Sequence, residues 1–259
     1  VAEEPNPIAV ALAILRARRV RRPSPRGGSP HDHDALAPVL DDLRRHGVAA
    51  LLDHRPTLLA YRDALAEADP DELDRDEALA YWLNCYNAGA LHLAAAALEA
   101  GTSTVLRVPG AFDRPWIAVA GEVLSLNAIE HGKIRRFGDP RIHGALVCGS
   151  VSCPTLRHEP YRGATLDEQL DAQFRTFLAG GGASLDRGQG ALRLSRIFLW
   201  YGGDFTRPRR MPTWLPARRR TLAPVVARWL PAEDAGWIRH NRPKVTFAPY
   251  DWGLACAIA

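Results

Sequence analysis

Between His33 and Ala100 apolar residues return every three or four positions, and this run makes helix packing the main structural theme of the chain. Leu36, Val39, Leu40 and Leu43 mark a first helix, and Leu58, Leu59, Tyr61 and Leu65 a second. A third begins after Asp74 and carries Ala78, Trp82, Tyr86, Ala90 and Leu93. The three read as packed helices.

Beyond residue 100 the character changes. Residues 116–126 set β-branched side chains around Gly121 and predict a hairpin. Residues 127–137 return to helix, with Ser125 or Asn127 as cap and Glu130 in the first turn. The apolar run 142–147 predicts a buried strand that ends at Cys148. A helix over 165–178 follows, with Thr165 and Glu168 as a capping box and the glycines at 180–182 as its stop. Residues 191–200 alternate well enough for a strand, and five prolines from Pro208 to Pro231 break up the tail. No internal repeat is evident. The pattern predicts an α+β fold: a helix-rich single domain over 31–259 with a small, mainly antiparallel sheet. Residues 1–30 read as an amphipathic helical arm and a Pro/Gly linker, much of it loosely held.

Composition narrows the function classes. The formal charge of +4 comes almost wholly from arginine, since Lys133 and Lys244 are the only lysines. The basic runs 16–26 and 207–220 lack the interleaved aromatics of a single-strand platform, so no nucleic-acid partner is expected. Both read as solvated faces; the first could also meet an acidic surface or make peripheral contact with lipid headgroups. No run reaches the roughly 18 apolar residues that span a bilayer. Four cysteines (Cys85, Cys148, Cys153 and Cys256) are too few for a disulfide scaffold, and without a CxxC neither a thioredoxin-type motif nor a zinc ribbon is supported. The apolar piece 8–15 has acids before it and arginines after it, the reverse of a secretory signal. A start at Val1 fits a trimmed chain, a mature product or a GTG start codon. The compartment therefore stays open, with the cytoplasm favoured over a secreted mature form.

Chemistry is expected to centre on Cys148, delivered at a strand end and followed by the small residues Gly149, Ser150 and Ser152 before Cys153 and Pro154. Small residues there let backbone N–H groups face an anion, beside a thiol placed as a nucleophile. The same cysteines could equally pack as small hydrophobes, close a small disulfide loop or supply half of a metal site. Asn84 and Asn87 share one face of the third helix, and substrate contact and capping of a neighbouring loop both stay open. Cys85 points to the Leu-rich side or to solvent. Glu130 and His131 point about 100° apart and are not expected to pair with each other. One would face the site and the other would meet Arg135 or Arg136. On an extended strand His143 and Cys148 would lie more than about 10 Å apart, at a rise of about 3.3 Å per residue, so His131 is the better general base. Asp204, after two glycines, would orient a histidine or simply turn the chain. The segment Tyr250-Asp-Trp252 would pack the last residues onto the core. Asn84, His131, Cys148 and Asp204 are expected to line one cleft where helices meet sheet, walled by Trp200 and Tyr201.

Five ordered motifs carry a resemblance. They are Tyr81-Trp-Leu-Asn-Cys-Tyr-Asn-Ala88, Leu126-Asn-Ala-Ile-Glu-His131, Arg141-Ile-His143 with Cys148-Gly-Ser150 and Ser152-Cys-Pro154, Ser195-Arg-Ile-Phe-Leu-Trp-Tyr201 with Asp204-Phe205, and Tyr250-Asp-Trp252. Together they resemble domain of unknown function family 547, from about residue 36 to the C-terminus. The resemblance adds Arg141 and Ser150 to Asn84 and Asn87 as substrate-binding positions. Its Cys/His content is similar to papain-like or transglutaminase-like thiol enzymes, which implies a papain-like thiol hydrolase or transferase acting on a small-molecule or peptide substrate, with no cofactor. Gly144 departs from the family, which often has an aromatic residue there.

Three readings follow. In the first, a hydrolase or acyltransferase uses Cys148 or Cys153 as nucleophile, His131 or else His143 as base, Asp204 or Glu130 as orienter, and the N–H groups of 149–152 as oxyanion site. In the second, a Cys148–Cys153 disulfide belongs to a non-catalytic binding or redox-regulated module. In the third, His131, His143 and one or both cysteines hold a metal. Nothing in the sequence names the oligomeric state.

Overall fold

The three expected helices are α1 (Ala37–His46), α2 (Arg55–Ala66) and α3 (Arg75–Glu99) in the computed structural model, which describes residues 12, 15–17, 19–213 and 215–258. Helix α3 is the axis of the fold. The Asp74 carboxylate starts it by accepting the N–H groups of Asp76 and Glu77 at 2.9 and 2.8 Å. From Ala78 to Leu91 every side chain is buried, the state of a helix surrounded on all faces. Gly89 lets its neighbours close in, because a Cβ there would stand 2.5 Å from Leu126 Cδ2 and 2.9 Å from the Trp116 ring.

The expected hairpin is β1 (Pro115–Val119) and β2 (Glu122–Ser125), paired antiparallel. Ala120 and Gly121 both take positive φ, 48° and 77°, as a tight turn matched to strand twist requires. Helix α4 (Leu126–Gly132) follows at once, with Ser125 Oγ accepting the Ala128 N–H at 3.2 Å. A 3-10 turn, Ile134–Phe137, extends it.

Three local expectations are corrected. No strand forms over 142–147. The Asp139 carboxylate accepts the Arg141 N–H at 2.9 Å, Pro140 takes the first helical position, and Pro140–Gly144 becomes a 3-10 turn. Helix α5 (Leu166–Phe177) forms without its capping box. Thr165 makes no side-chain cap bond, because the 3-10 turn Gly163–Thr165 leads straight into the helix. The strand expected over 191–200 stops early: β3 (Ala183–Asp186) and β4 (Ala191–Leu194) pair, and then Ser195 Oγ accepts the Ile197 N–H at 3.3 Å and turns the chain into α6 (Ile197–Trp200). Next come α7 (Gly202–Thr206), α8 (Arg219–Val226), α9 (Ala232–Asn241) and β5 (Lys244–Phe247). The second sheet runs β3–β4–β5, antiparallel then parallel, which completes an α+β fold.

The buried apolar side chains form two clusters. One gathers α1, α2, α3, the hairpin and α4; the other gathers β3, β4, β5 and the helices between β4 and β5. Helix α5 straddles both, with Leu166 and Leu170 in the first and Phe174 and Phe177 in the second. The seam between the clusters is where the polar side chains collect.

The linker part of the N-terminal arm is held more firmly than its composition suggests. Arg26 and Gly27 donate backbone N–H groups to Asp71 and Leu73 carbonyls at 2.9 and 3.0 Å, and Ser24 N–H reaches the Asp71 carboxylate at 2.8 Å. Arg21 and Arg26 pair with Asp71, Glu122, Asp69 and Glu72 while their side chains stay half exposed. Most of the expected amphipathic helix lies outside the described residues. Among the described residues no helix is long and apolar enough to cross a membrane.

Candidate functional site

Two asparagines on α3 hold the chain that carries the cysteines. Asn87 donates to the Ala145 carbonyl at 3.0 Å and accepts the Val147 N–H at 3.1 Å. One turn earlier, Asn84 donates to the Tyr161 carbonyl at 2.8 Å and accepts the Tyr161 N–H at 2.9 Å. A primary amide presents the same donor and acceptor as a peptide unit, so each asparagine serves as one rung of a missing strand. This is how a buried stretch without regular secondary structure satisfies its backbone. The C-terminal segment braces the same stretch from the other side: Val151 N–H donates to Gly253 O at 2.8 Å and Ala255 N–H to Gly149 O at 3.1 Å.

Cys148 and Cys153 are joined as a disulfide across Cα atoms 6.2 Å apart. Donors surround the two sulfurs. The Cys148 N–H points at Cys153 Sγ at 2.8 Å, Ser150 Oγ lies 3.1 Å from Cys148 Sγ, and Tyr250 Oη lies 3.4 and 3.5 Å from the two sulfurs. The N–H groups of Val151 and Ser152 are committed to Gly253 and Asp251 carbonyls, so of the expected oxyanion donors only Gly149 and Ser150 could still serve. Cys85 is on α3 and Cys256 packs beside Gly149, and burial pushes both thiols up to about 12.

A second polar cluster fills the seam. Arg135, fully buried, grips Asp204 with Nε to Oδ2 at 2.7 Å and Nη2 to Oδ1 at 3.0 Å, and also donates to Thr213 O at 2.9 Å. His143 Nε2 reaches Asp204 Oδ2 at 2.9 Å, and its ring stacks on Tyr201 at 4.3 Å. Burial alone would raise the Asp204 carboxyl, but the hydrogen bonds from His143 and Arg135 outweigh it and hold it well below the usual carboxylate range.

His131 sits between this cluster and Glu130. Arg135 Nη1 contacts His131 Nδ1 at 3.3 Å. A guanidinium only donates, so Nδ1 is the acceptor and the neutral ring carries its proton on Nε2. Burial pushes the His131 pKa down to about 4, with Arg135 adding to the shift against the pull of Glu130. Glu130 Oε1 lies 3.5 Å from His131 Nδ1, but a carboxylate and an unprotonated ring nitrogen are both acceptors, so the two neighbours come close without a hydrogen bond between them. The Glu130 carboxylate accepts the Tyr86 hydroxyl from α3 at 3.4 Å, with Tyr201 as a further hydrogen-bond partner. Burial opposes ionisation of Glu130, yet His131, His143 and Arg135 hold its pKa below the usual value.

These groups meet at a cavity of about 400 Å³ on the seam. Glu130, His131 and Cys148 line it, with Tyr86, Tyr201 and Trp252 as aromatic walls and Asp113 and Asn127 bonded to each other at 3.0 Å on its rim. No lysine or arginine is among its lining residues, so its carboxylates give it a negative interior.

Of the residues expected to converge, His131 and Cys148 share the cavity, while Asn84 and Asp204 do not line it. Asp204 orients His143 and Arg135 from behind, and Asn84 is spent on Tyr161. Arg141 binds Asp139 and Asp167, each at 2.7 Å, away from the cavity. Ser150 is at the sulfurs. Arg135, expected with Arg136 as a partner of Glu130 or His131, is at His131 Nδ1. Two other contributors carry no such signal. Tyr250, expected only to pack the tail, had no local signal for its hydroxyl at the sulfurs. Asp113 was hidden in an irregular loop. Among the described residues no group of three or more His, Cys, Asp or Glu side chains could hold a metal ion.

Residues 70–178 match the family described as "Protein of unknown function, DUF547". The matched segment contains Asn84, Asn87, Glu130, His131, Arg135, Cys148 and Cys153, while Tyr201, Asp204 and Tyr250 lie beyond it. No curated protein and no solved structure matches the chain. The DUF547 segment thus supplies most of the cavity, and the residues after it supply the far wall.

Proposed function

We propose that the reduced protein is a cysteine-dependent acyl-transfer enzyme, a hydrolase or acyltransferase, with Cys148 as its nucleophile. The observation that carries this reading is the sharing of one cavity by Cys148, His131 and Glu130. A cysteine thiol is already partly ionised near neutral pH, and hydroxyl donors favour the thiolate further. Tyr250 stands in that position, with Ser150 donating to its oxygen from behind. The Cys148 thiolate adds to a carbonyl carbon, the carbonyl electrons move to oxygen, and the oxyanion takes hydrogen bonds from His131 Nε2–H and the backbone N–H of Gly149. The leaving group departs with a proton from water, and water or a second nucleophile then cleaves the thioester. In this scheme His131 is a neutral donor, not the general base expected from sequence, because Arg135 occupies Nδ1 and burial keeps the ring uncharged. The negative interior and aromatic walls favour a substrate with a cationic end.

Alkylation after reduction tests the proposal. The reference is the same protein unfolded, because Cys85 is buried and the Cys85 and Cys256 thiols are both pushed up to about 12 in the fold. At pH 6 iodoacetamide should modify native Cys148 roughly ten times faster than the unfolded chain, the signature of a stabilised thiolate. A native rate at or below the unfolded one would reject Cys148 as an activated nucleophile.

A second reading is favoured by the disulfide itself: a binding module in which Cys148 and Cys153 are structural. It expects Cys148→Ser to retain ligand binding and lose only stability, by about 2 kcal/mol for so short a loop. The acyl-transfer reading expects Cys148→Ser to lose all turnover.

A further inference from the structure

The two halves of the disulfide face different cavities. Cys148 lines the cavity of about 400 Å³ described above, whereas Cys153 lines a separate one of about 170 Å³ with Ser152, Thr155, Thr176, Gly181 and Ser195. We infer that this second cavity admits a small neutral or zwitterionic thiol, which opens the disulfide at Cys153 and releases Cys148 as the thiolate.

Charge decides which sulfur is attacked. The attacking species in thiol–disulfide exchange is a thiolate, and it approaches in line with the bond it breaks. To reach Cys148 it would have to enter a cavity that already holds the carboxylates of Glu130 and Asp113. Among the lining residues of the second cavity there is no charged side chain. Its volume is below the usual 300 Å³ or so of a drug-sized ligand site, which suits a molecule no larger than an amino acid. The Thr155 hydroxyl there is buried with no partner, and Ser152 Oγ and Ser195 Oγ, which accept the Asp251 and Ile197 N–H groups, each keep a proton to donate. The residues at 180–182 are all glycine, so bare backbone forms that part of the wall.

The leaving side is equally defined. The incoming thiolate bonds to Cys153 Sγ, and the electron pair of the old S–S bond departs with Cys148 Sγ. That sulfur is 3.1 Å from Ser150 Oγ and 3.4 Å from Tyr250 Oη, either of which can donate to it. A second thiolate then attacks the small thiol's sulfur in the mixed disulfide, which frees Cys153 as thiolate and carries away the oxidised dimer of the small thiol. Two thiols supply the two electrons, and protons exchange with water. That the released sulfur is the nucleophile rests on the acyl-transfer reading; the regiochemistry does not.

The test uses the oxidised full-length chain and L-cysteine as probe. Brief reaction, acid quenching with N-ethylmaleimide and peptide mapping should find cysteine on Cys153 and maleimide on Cys148, in at least roughly tenfold excess over the opposite pattern. Gly180→Phe provides a second readout. Gly180 lines the cavity, and a Cβ there meets nothing within 4 Å, so a large side chain can be introduced at the cavity wall without a clash at its root. It should slow reduction by L-cysteine about tenfold or more. Cysteine attached to Cys148, no reaction at all, or an unchanged rate in Gly180→Phe would overturn the assignment. If the adduct is on Cys153 but the freed Cys148 alkylates no faster than in the unfolded chain, the acyl-transfer reading fails and the entry site stands.

Discussion

Arg135 and Asp204 meet through two parallel hydrogen bonds of 2.7 and 3.0 Å, and both side chains are fully buried. Ile134, beside Arg135, packs in the first apolar cluster, and Phe205, beside Asp204, packs in the second. The ion pair is therefore a clamp across the seam that contains the cavity. Tyr201 lies against it, with the Arg135 guanidinium 5.1 Å from its ring centre.

Removing one partner of this pair should be severe, because the other is left charged in a dry interior. Asp204→Ala is expected to lose about 3–5 kcal/mol, read from urea unfolding midpoints. The double variant Arg135→Met with Asp204→Leu should recover most of that loss, since the apolar pair leaves no charge behind. A loss below about 1 kcal/mol in Asp204→Ala would show that the seam is open to water.

Acid should weaken the fold in two stages. The His131 pKa falls from 6.5 when unfolded to about 4 when folded. Between those values the unfolded chain binds a proton that the folded one refuses, so stability is full above about pH 6.5 and declines as pH falls towards 4. The whole window amounts to roughly 3 kcal/mol at about 1.4 kcal/mol per unit. Asp204 is shifted in the same direction: its contribution is present above the unfolded value of about 3.9 and is lost as pH drops below it. Unfolding free energies at pH 7 and pH 5 check the first stage. His131→Gln should flatten the wild-type decline, because glutamine still offers Arg135 an acceptor and does not titrate; an identical slope in both proteins would place the decline elsewhere.

The sequence was legible where local rules and tertiary packing agree. The three helices, the hairpin around Gly121 and the Ser125 cap follow from periodicity, turn chemistry and capping, and all three are in the structure. It was misleading where a side chain replaces a backbone partner. The apolar run 142–147 has the composition of a buried strand, but Asn87 takes the place of the neighbouring strand, so a 3-10 turn and an unpaired segment are affordable there. Nothing local announces such a substitution. In the candidate site, His131 and Cys148 could be picked out because their residue types carry chemistry. Arg135 could be placed beside His131, but neither its grip on Asp204 nor Tyr250 at the sulfurs could be seen, since each acts across more than 60 residues of chain.

The asparagine rungs make their own prediction. Asn87→Ala removes the partners of both Ala145 O and Val147 N–H, at a penalty of about 1–3 kcal/mol for each buried group left unmet. Its effect should be local as well as global. Amide hydrogen exchange at Val147 should accelerate far more than at Leu83 or Leu91 on α3, whose own hydrogen bonds remain. Uniform acceleration at all three sites would mean that Asn87 supports the whole core and not the cysteine-bearing stretch.

Tyr250 carries the prediction closest to the chemistry. Burial pushes its own pKa up to about 12, so the hydroxyl keeps its proton throughout the neutral range. Ser150 Oγ donates to Tyr250 Oη at 3.1 Å, which leaves the Tyr250 proton to point at sulfur and polarises it in that direction. Once the disulfide is reduced, that proton should stabilise the Cys148 thiolate. A hydrogen bond to a charged group contributes about 1.5–3 kcal/mol, and one pKa unit is about 1.4 kcal/mol, so Tyr250→Phe should raise the thiol pKa by about one unit or more. The measurement is the rate of iodoacetamide alkylation of reduced protein against pH, with the adduct mapped to Cys148. The midpoint should move up in Tyr250→Phe while the far-ultraviolet circular dichroism stays that of the wild type. An unmoved midpoint in a folded variant would remove Tyr250 from the nucleophile's environment and leave Ser150 as the side-chain donor there.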